Sequence, residues 1–138
     1  MMHHQQLLRI STKGKSLYKI TSKIESVVAE SGVKTGLCTI FLRHTSASLI
    51  IQENADPDVL LDLSNFLAKL VPESAPYIHN AEGADDMPAH IRTALTHTSE
   101  QIPIAQNRLV LGTWQGIYIW EHRERSQQRE LVVHIMGE

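Results

Sequence analysis

Between Tyr77 and His90 the chain gathers two histidines, three carboxylates and a glycine into one short segment, Tyr77-Ile-His-Asn-Ala-Glu-Gly-Ala-Asp-Asp-Met-Pro-Ala-His90. Imidazole nitrogens and carboxylate oxygens at this density can ligate a divalent metal ion or move protons. His79 and Glu82 bracket a turn at Gly83, and Asp85 and Asp86 stand where a helix would begin. Pro88 suits the first position of that helix, where a missing N–H costs nothing. A second reading competes for the two aspartates: they cap the helix and favour its positive end, with no chemistry. His90 falls in the first helical turn, and its short separation from His79 is compatible with both rings reaching one ion. His97, near the end of the helix, reads as a surface group.

A second polar island is Arg43-His-Thr-Ser-Ala-Ser48. It follows the apolar, β-prone run Gly36–Leu42, so it sits at the end of a buried strand, where rigid backbone can support binding groups. His44 beside Thr45 and Ser46 suits phosphate, or the outer hydrogen bonds that orient a metal ligand. Asn54 is either a turn residue or a group facing a ligand. In Gly112-Thr-Trp-Gln-Gly116, glycines inside a strand region signal a bulge or a close backbone approach to another molecule. Trp114 itself reads as a large core side chain.

The elements that must position these groups follow from periodicity. Gln5–Ser11 and Ser16–Ile20 are predicted strands around a turn at Lys13-Gly14-Lys15. Thr21 caps a helix whose Ile24, Val27 and Val28 share a face and which Gly32 stops. Leu49–Asn54 is a further strand. Asp56 and Pro57 open the strongest helix, with Val59, Leu60, Leu63, Phe66, Leu67 and Leu70 as a core stripe and Pro72 as its stop. Strands are expected at 102–104, 108–111, 116–120 and 130–135, separated by turns at 105–107 and 126–128, which together form a meander.

The 138 residues fit one domain, residues 1–138, and are too few for a (β/α)₈ barrel of about 250 residues. Thirteen basic against fifteen acidic residues, a net charge of −2 without charge runs, speak against nucleic-acid or membrane-surface partners. No apolar stretch approaches the roughly 18 residues of a membrane span, and the N-terminus lacks a signal-peptide pattern. The single cysteine, Cys38, lies in an apolar run and reads as a packed small hydrophobe. A cytoplasmic protein is expected.

Taken together, His44-Thr-Ser-Ala-Ser48, Asn54-Ala-Asp-Pro57, Tyr77-Ile-His79, Glu82-Gly-Ala-Asp-Asp-Met-Pro-Ala-His90 and Leu111-Gly-Thr-Trp-Gln-Gly-Ile117 resemble the YjbQ-like family, the secondary thiamine-phosphate synthases. The likeness spans nearly the whole chain and continues through Trp120-Glu-His-Arg123 and Gly137-Glu138. It implies a single compact α+β domain with an antiparallel, sandwich-like sheet and two or three covering helices, assembled as a homotrimer. It also implies a histidine-lined cleft holding a divalent metal (zinc, magnesium or manganese) and an ability to form thiamine phosphate. By residue match His44, His79 and His90 would hold the metal. Glu82, Asp86, Asn54, Trp114 and Gln115 would stand around the cleft.

Three functions follow. The first is an enzyme on a phosphorylated small molecule, joining a pyrimidine methyl diphosphate to a thiazole phosphate and releasing pyrophosphate. A metal or hydrogen-bond donors would neutralise the leaving diphosphate. Here Asp86 or Glu82 completes the metal shell, and Thr45, Ser46 and Gln115 bind substrate. The chain has no Gly-rich phosphate cradle, so Arg43, Arg123 or Arg129 must supply positive charge. The second is a metal-dependent hydrolase with Glu82 as general base. The third is a trimer that binds a metal or small ligand without catalysis.

Overall fold

The computed structural model describes residues 1–138 and contains eight strands and three helices. In chain order these are β1 (Met2–Lys13), β2 (Ser16–Lys19), α1 (Thr21–Ser31), β3 (Gly36–Leu42), β4 (Ala47–Glu53), α2 (Pro57–Leu70), α3 (Asp86–Leu95), β5 (Ser99–Ala105), β6 (Arg108–Leu109), β7 (Gln115–Glu121) and β8 (Ser126–Gly137). The strands form a five-stranded sheet, β1-β8-β3-β5-β6, and a three-stranded sheet, β2-β7-β4, with every pairing antiparallel. The expected α+β sandwich is the observed architecture.

One core fills the space between the sheets and α1. Alternate residues of β3 and β8 (Cys38, Ile40, Leu42; Leu131, Val133, Ile135) meet Leu49 of β4 and Ile117 and Ile119 of β7. Cys38 is buried among them, and that burial pushes its thiol up to about 11. Gly36 lets β3 cross the end of β8 closely: a Cβ there would lie 2.1 Å from the Met136 carbonyl oxygen. Thr21 does not cap α1; its hydroxyl accepts the Ile117 N–H at 2.9 Å instead. The helix holds because Ile24, Val27 and Val28 are at most 2% exposed. At roughly 1.5–3 kcal/mol each, that buried face outweighs a missing cap of about 1 kcal/mol.

Four more expectations change. β1 and β8 are each twelve residues long, because they pair with each other from Met2↔Gly137 to Lys13↔Ser126. The 126–128 segment is therefore strand, and the turn precedes it. The C-terminal strands are not a meander: β7 joins β2 and β4, while β8 lies between β1 and β3. The stripe on α2 is not all core. Leu67 packs with Val71 and Trp120 on the outer face of the small sheet, whereas Phe66 and Leu70 are 67% and 57% exposed. Helix α3 begins at Asp86, so Pro88 lies inside its first turn rather than at its first position. No helix is long and apolar enough to cross a membrane.

Candidate functional site

The small sheet fixes two polar ends. In its ladder Ala47 faces Glu121 and Glu53 faces Gln115. At roughly 3.3 Å per residue, six steps along β4 separate these ends by about 20 Å.

At the first end a buried charge pair ties the two sheets together. Glu121 at the end of β7 is fully buried, and Arg129 of β8 is 3% exposed. Arg129 donates from Nε to Glu121 Oε1 at 2.7 Å and from Nη2 to Oε2 at 2.5 Å, while the Thr12 hydroxyl of β1 donates to Oε1 at 2.6 Å. Burial works to raise the Glu121 carboxyl, but these bonds outweigh it and hold the group below the ordinary carboxylate range. Arg129 Nη2 also donates to the Ser46 carbonyl and hydroxyl oxygens, at 3.2 and 3.0 Å, which fixes the loop after β3.

Two residues past Glu121, the support passes outward. The Arg123 N–H donates to Glu121 Oε2 at 3.1 Å. Its guanidinium donates to Asp85 Oδ2 at 2.9 Å, to the Glu82 carbonyl at 3.0 Å, and to Asp86 Oδ1. Asp85 also accepts the Glu124 N–H, so neither aspartate serves as a side-chain cap, although Asp86 does stand in the first turn, at the positive end of the helix. Asp86, 2% exposed, is thereby aimed with its second oxygen outward.

That oxygen, Oδ2, meets His79 Nε2 at 2.6 Å and His90 Nε2 at 3.2 Å. The three ligand atoms all lie within 4.8 Å of one another, and the two rings meet edge-on at 5.6 Å. Glu82 Oε2 stands 3.2 Å from His79 Nε2. His79 is pushed up from its ordinary value, chiefly by its hydrogen bond to Asp86. Burial works to raise Asp86, and the bonds from His79 and the Arg123 charge prevail and lower it.

The proton on His90 can be placed. Its Nδ1 lies 3.0 Å from the Thr45 carbonyl oxygen, which only accepts, so Nδ1 carries the hydrogen. In the neutral ring, Nε2 then turns a lone pair toward the Asp86 carboxylate. Two acceptors facing each other at 3.2 Å call for a cation or a proton between them. An imidazole whose far N–H is anchored on a backbone carbonyl is the arrangement that orients metal-bound histidines. Two imidazoles and one carboxylate with open sides suit zinc or a first-row transition metal. A hollow of about 280 Å³ opens beside His79, with Tyr77 and Met87 in its wall.

His44 does not join this group. Its Nε2 accepts the Glu130 N–H at 2.7 Å, so the neutral ring carries its hydrogen on Nδ1. Nδ1 lies 3.3 Å from Arg129 Nη1, a meeting of two donors. Burial and the Arg129 charge both lower its pKa, and no lone pair is left for a metal. His44 instead supports the loop whose Thr45 carbonyl orients His90. Arg129, expected at substrate, is buried and committed to Glu121. Arg123 is committed to the aspartates, and Arg43 pairs with Glu130 at 3.2 Å on the surface. The Thr45 side chain is exposed, and that of Ser46 is partly so.

Asn54, Trp114 and Gln115 meet at the other end of the sheet. Asn54 Nδ2 donates to the Thr113 and Gln115 carbonyls at 3.1 and 3.3 Å, and Gln115 Oε1 accepts the Gly112 N–H at 2.7 Å. A Cβ on Gly116 would come within 3.1 Å of Asn54 Cβ, so this glycine serves close packing within the chain. Trp114 is not core; it is 63% exposed on the turn. Sequence reasoning missed Thr12 and Glu121, and assigned Arg123 only to a substrate phosphate. The one available signal was Trp120-Glu-His-Arg123, charged groups directly after a buried strand.

Comparison with known proteins agrees across the chain. The family model described as "UPF0047 protein YjbQ-like" matches residues 6–138. A UPF0047 protein of Synechocystis is 67% identical over 136 residues, 98% of this chain and 92% of its own. A YjbQ/UPF0047 family crystal structure from Clostridium acetobutylicum is 39% identical, covering 94% of this chain and 99% of its own, with a TM-score of 0.85. A "YbjQ-like" protein structure from Sulfolobus solfataricus is 26% identical over 99% of both chains, with a TM-score of 0.88.

Proposed function

This chain belongs to the YjbQ-like UPF0047 family, and from that premise we propose that it binds one divalent metal ion through His79, Asp86 and His90 and acts on a phosphorylated small molecule. One observation carries the reading: His90 Nε2 and the Asp86 carboxylate face each other at 3.2 Å, with a His79 ring nitrogen beside them and all three ligand atoms within 4.8 Å of one another. The reaction we assign is thiamine-phosphate synthesis. The thiazole nitrogen forms a bond to the pyrimidine methylene carbon as the bond from that carbon to the diphosphate oxygen breaks, and pyrophosphate leaves. No proton has to be removed, so the chemical demand is for positive charge at the leaving group. A divalent ion held by His79, Asp86 and His90 would supply that charge. Asp86, held by Arg123, fixes the ligand geometry, His90 is locked by Thr45, and Glu82 stands ready as a further ligand.

Glu82, exposed and 3.2 Å from His79, also favours a second reading, a hydrolase in which this carboxylate takes the proton from an attacking water. The homotrimer belongs to the same proposal. Leu61, Phe66 and Leu70 of α2 and the fully exposed Ile78 offer apolar surface that association would cover. Asn54, Trp114 and Gln115 would serve substrate from a neighbouring subunit, because their own metal ligands lie at the opposite end of the sheet. The lone buried Cys38 supports a cytoplasmic setting.

The test is turnover of the pyrimidine diphosphate and thiazole phosphate by tag-free protein. Thiamine phosphate should form only with a divalent ion and should vanish in Asp86→Asn and His90→Ala. Product formation that persists in both variants would point to a contaminating enzyme and remove the reading.

A further inference from the structure

A second groove lies away from His79. It runs between α2, the end of β7 and the loop after Val71, with a volume of about 600 Å³. Arg92 of α3 lines it. This residue lies two positions past His90, so it leaves the helix on a different face from the metal ligands.

Arg92 is 6% exposed, yet it takes part in none of the ion pairs of the molecule. One donor, Nη2, reaches the Val71 carbonyl at 2.9 Å, and Nε is buried without any partner. The carboxylates of the groove wall are already taken. Glu121 is held by Arg129 and Thr12, and Glu73 accepts from Lys15 Nζ at 2.6 Å. His122, also in the wall, is 1% exposed and bonded to the Ser48 hydroxyl at 2.9 Å. Burial first, and then the Arg92 charge, push its pKa down to about 3, so it stays neutral and offers no negative charge. A buried guanidinium without a counter-charge is destabilising unless something outside the chain compensates it.

We propose that this groove is a second binding site, one that takes a small molecule through an oxyanion group, phosphate or carboxylate, held by the free donors of Arg92. Ser64 and Ser74 place hydroxyl groups along the groove, and Trp120 gives it a flat apolar wall for the body of such a molecule. Planar guanidinium and oxyanion match in geometry as well as in charge. The site is independent of the metal reading, because it shares no ligand with His79, Asp86 or His90.

The test uses the full chain in excess EDTA, so that no metal-held anion contributes. Thermal unfolding is followed while inorganic phosphate, or separately acetate, is titrated at constant ionic strength set with chloride. The site predicts a saturable rise in Tm. Arg92→Gln should weaken the apparent affinity about tenfold or more, and Arg92→Lys, which keeps the charge but loses the planar fork, should weaken it by less. Should Arg92→Gln fail to fold, Ala68→Phe on the exposed rim of α2 fills the groove from outside and should abolish the effect. Response to one anion alone supports the site and names the group it takes. No stabilisation beyond chloride by either anion, or equal stabilisation of the wild type and whichever of the two variants folds, overturns it.

Discussion

The two ends of the β2-β7-β4 sheet carry polar groups of opposite kind. At one end Glu121, Arg129 and Thr12 form a buried clamp between the sheets, and Arg123 extends it to Asp85 and Asp86. The groups that emerge there are charged or titratable, and they converge: His79, His90 and one Asp86 oxygen. At the other end Asn54 and Gln115 are spent on backbone carbonyls and N–H groups, and Trp114 points to solvent. Within a single chain that end shapes a loop. The lesson is that a chemical site is marked less by which polar residues are present than by whether their donors and acceptors are left over after the backbone is satisfied.

This contrast can be broken most severely at the clamp. Glu121→Ala leaves Arg129 charged and buried without a partner, so it should destabilise the fold by about 3–5 kcal/mol in urea denaturation. A loss below about 1 kcal/mol would mean that the clamp does not organise this end. Acid should act on the same end. His122 is held neutral at about 3 against an ordinary 6.5, so below 6.5 the unfolded chain takes up the proton first and stability falls as pH falls toward 3. The loss attributable to this ring is at most about 5 kcal/mol, and His122→Gln should flatten that part of the pH profile. At the opposite end, Trp114→Ala should change stability by no more than about 0.5 kcal/mol, because the side chain is exposed. A larger loss in the isolated chain would show that the ring is packed.

The framework was legible where local pattern decides structure. Gly36–Leu42, the α1 face of Ile24, Val27 and Val28, and the Asp56-Pro57 start of α2 all form as expected, with Asp56 accepting the Asp58 N–H at 2.9 Å. What was illegible depended on partners distant in the chain. Ser126, Gln127 and Gln128 have turn composition but become strand because β1 offers them a ladder. Phe66 and Leu70 carry a core pattern, yet no element of the same chain covers them. In the site, the crowding of ligand types between His79 and His90 was visible from composition alone. His44 was misjudged because its neighbours suggested chemistry, whereas its ring is consumed by the Glu130 N–H. The Thr45 carbonyl that orients His90 has no signature in the sequence, since every residue carries a carbonyl.

The central claim is that His79, Asp86 and His90, without His44, form one metal site. Calorimetric titration of zinc or manganese into tag-free, chelator-stripped protein tests it directly. The wild type should bind one ion per chain. His79→Ala, Asp86→Asn and His90→Ala should each lose affinity by more than about a hundredfold, beyond the 10–100-fold typical of an outer partner. His44→Ala should stay within that outer-partner range. Wild-type affinity in all three ligand variants, or a loss in His44→Ala as deep as theirs, would contradict the account.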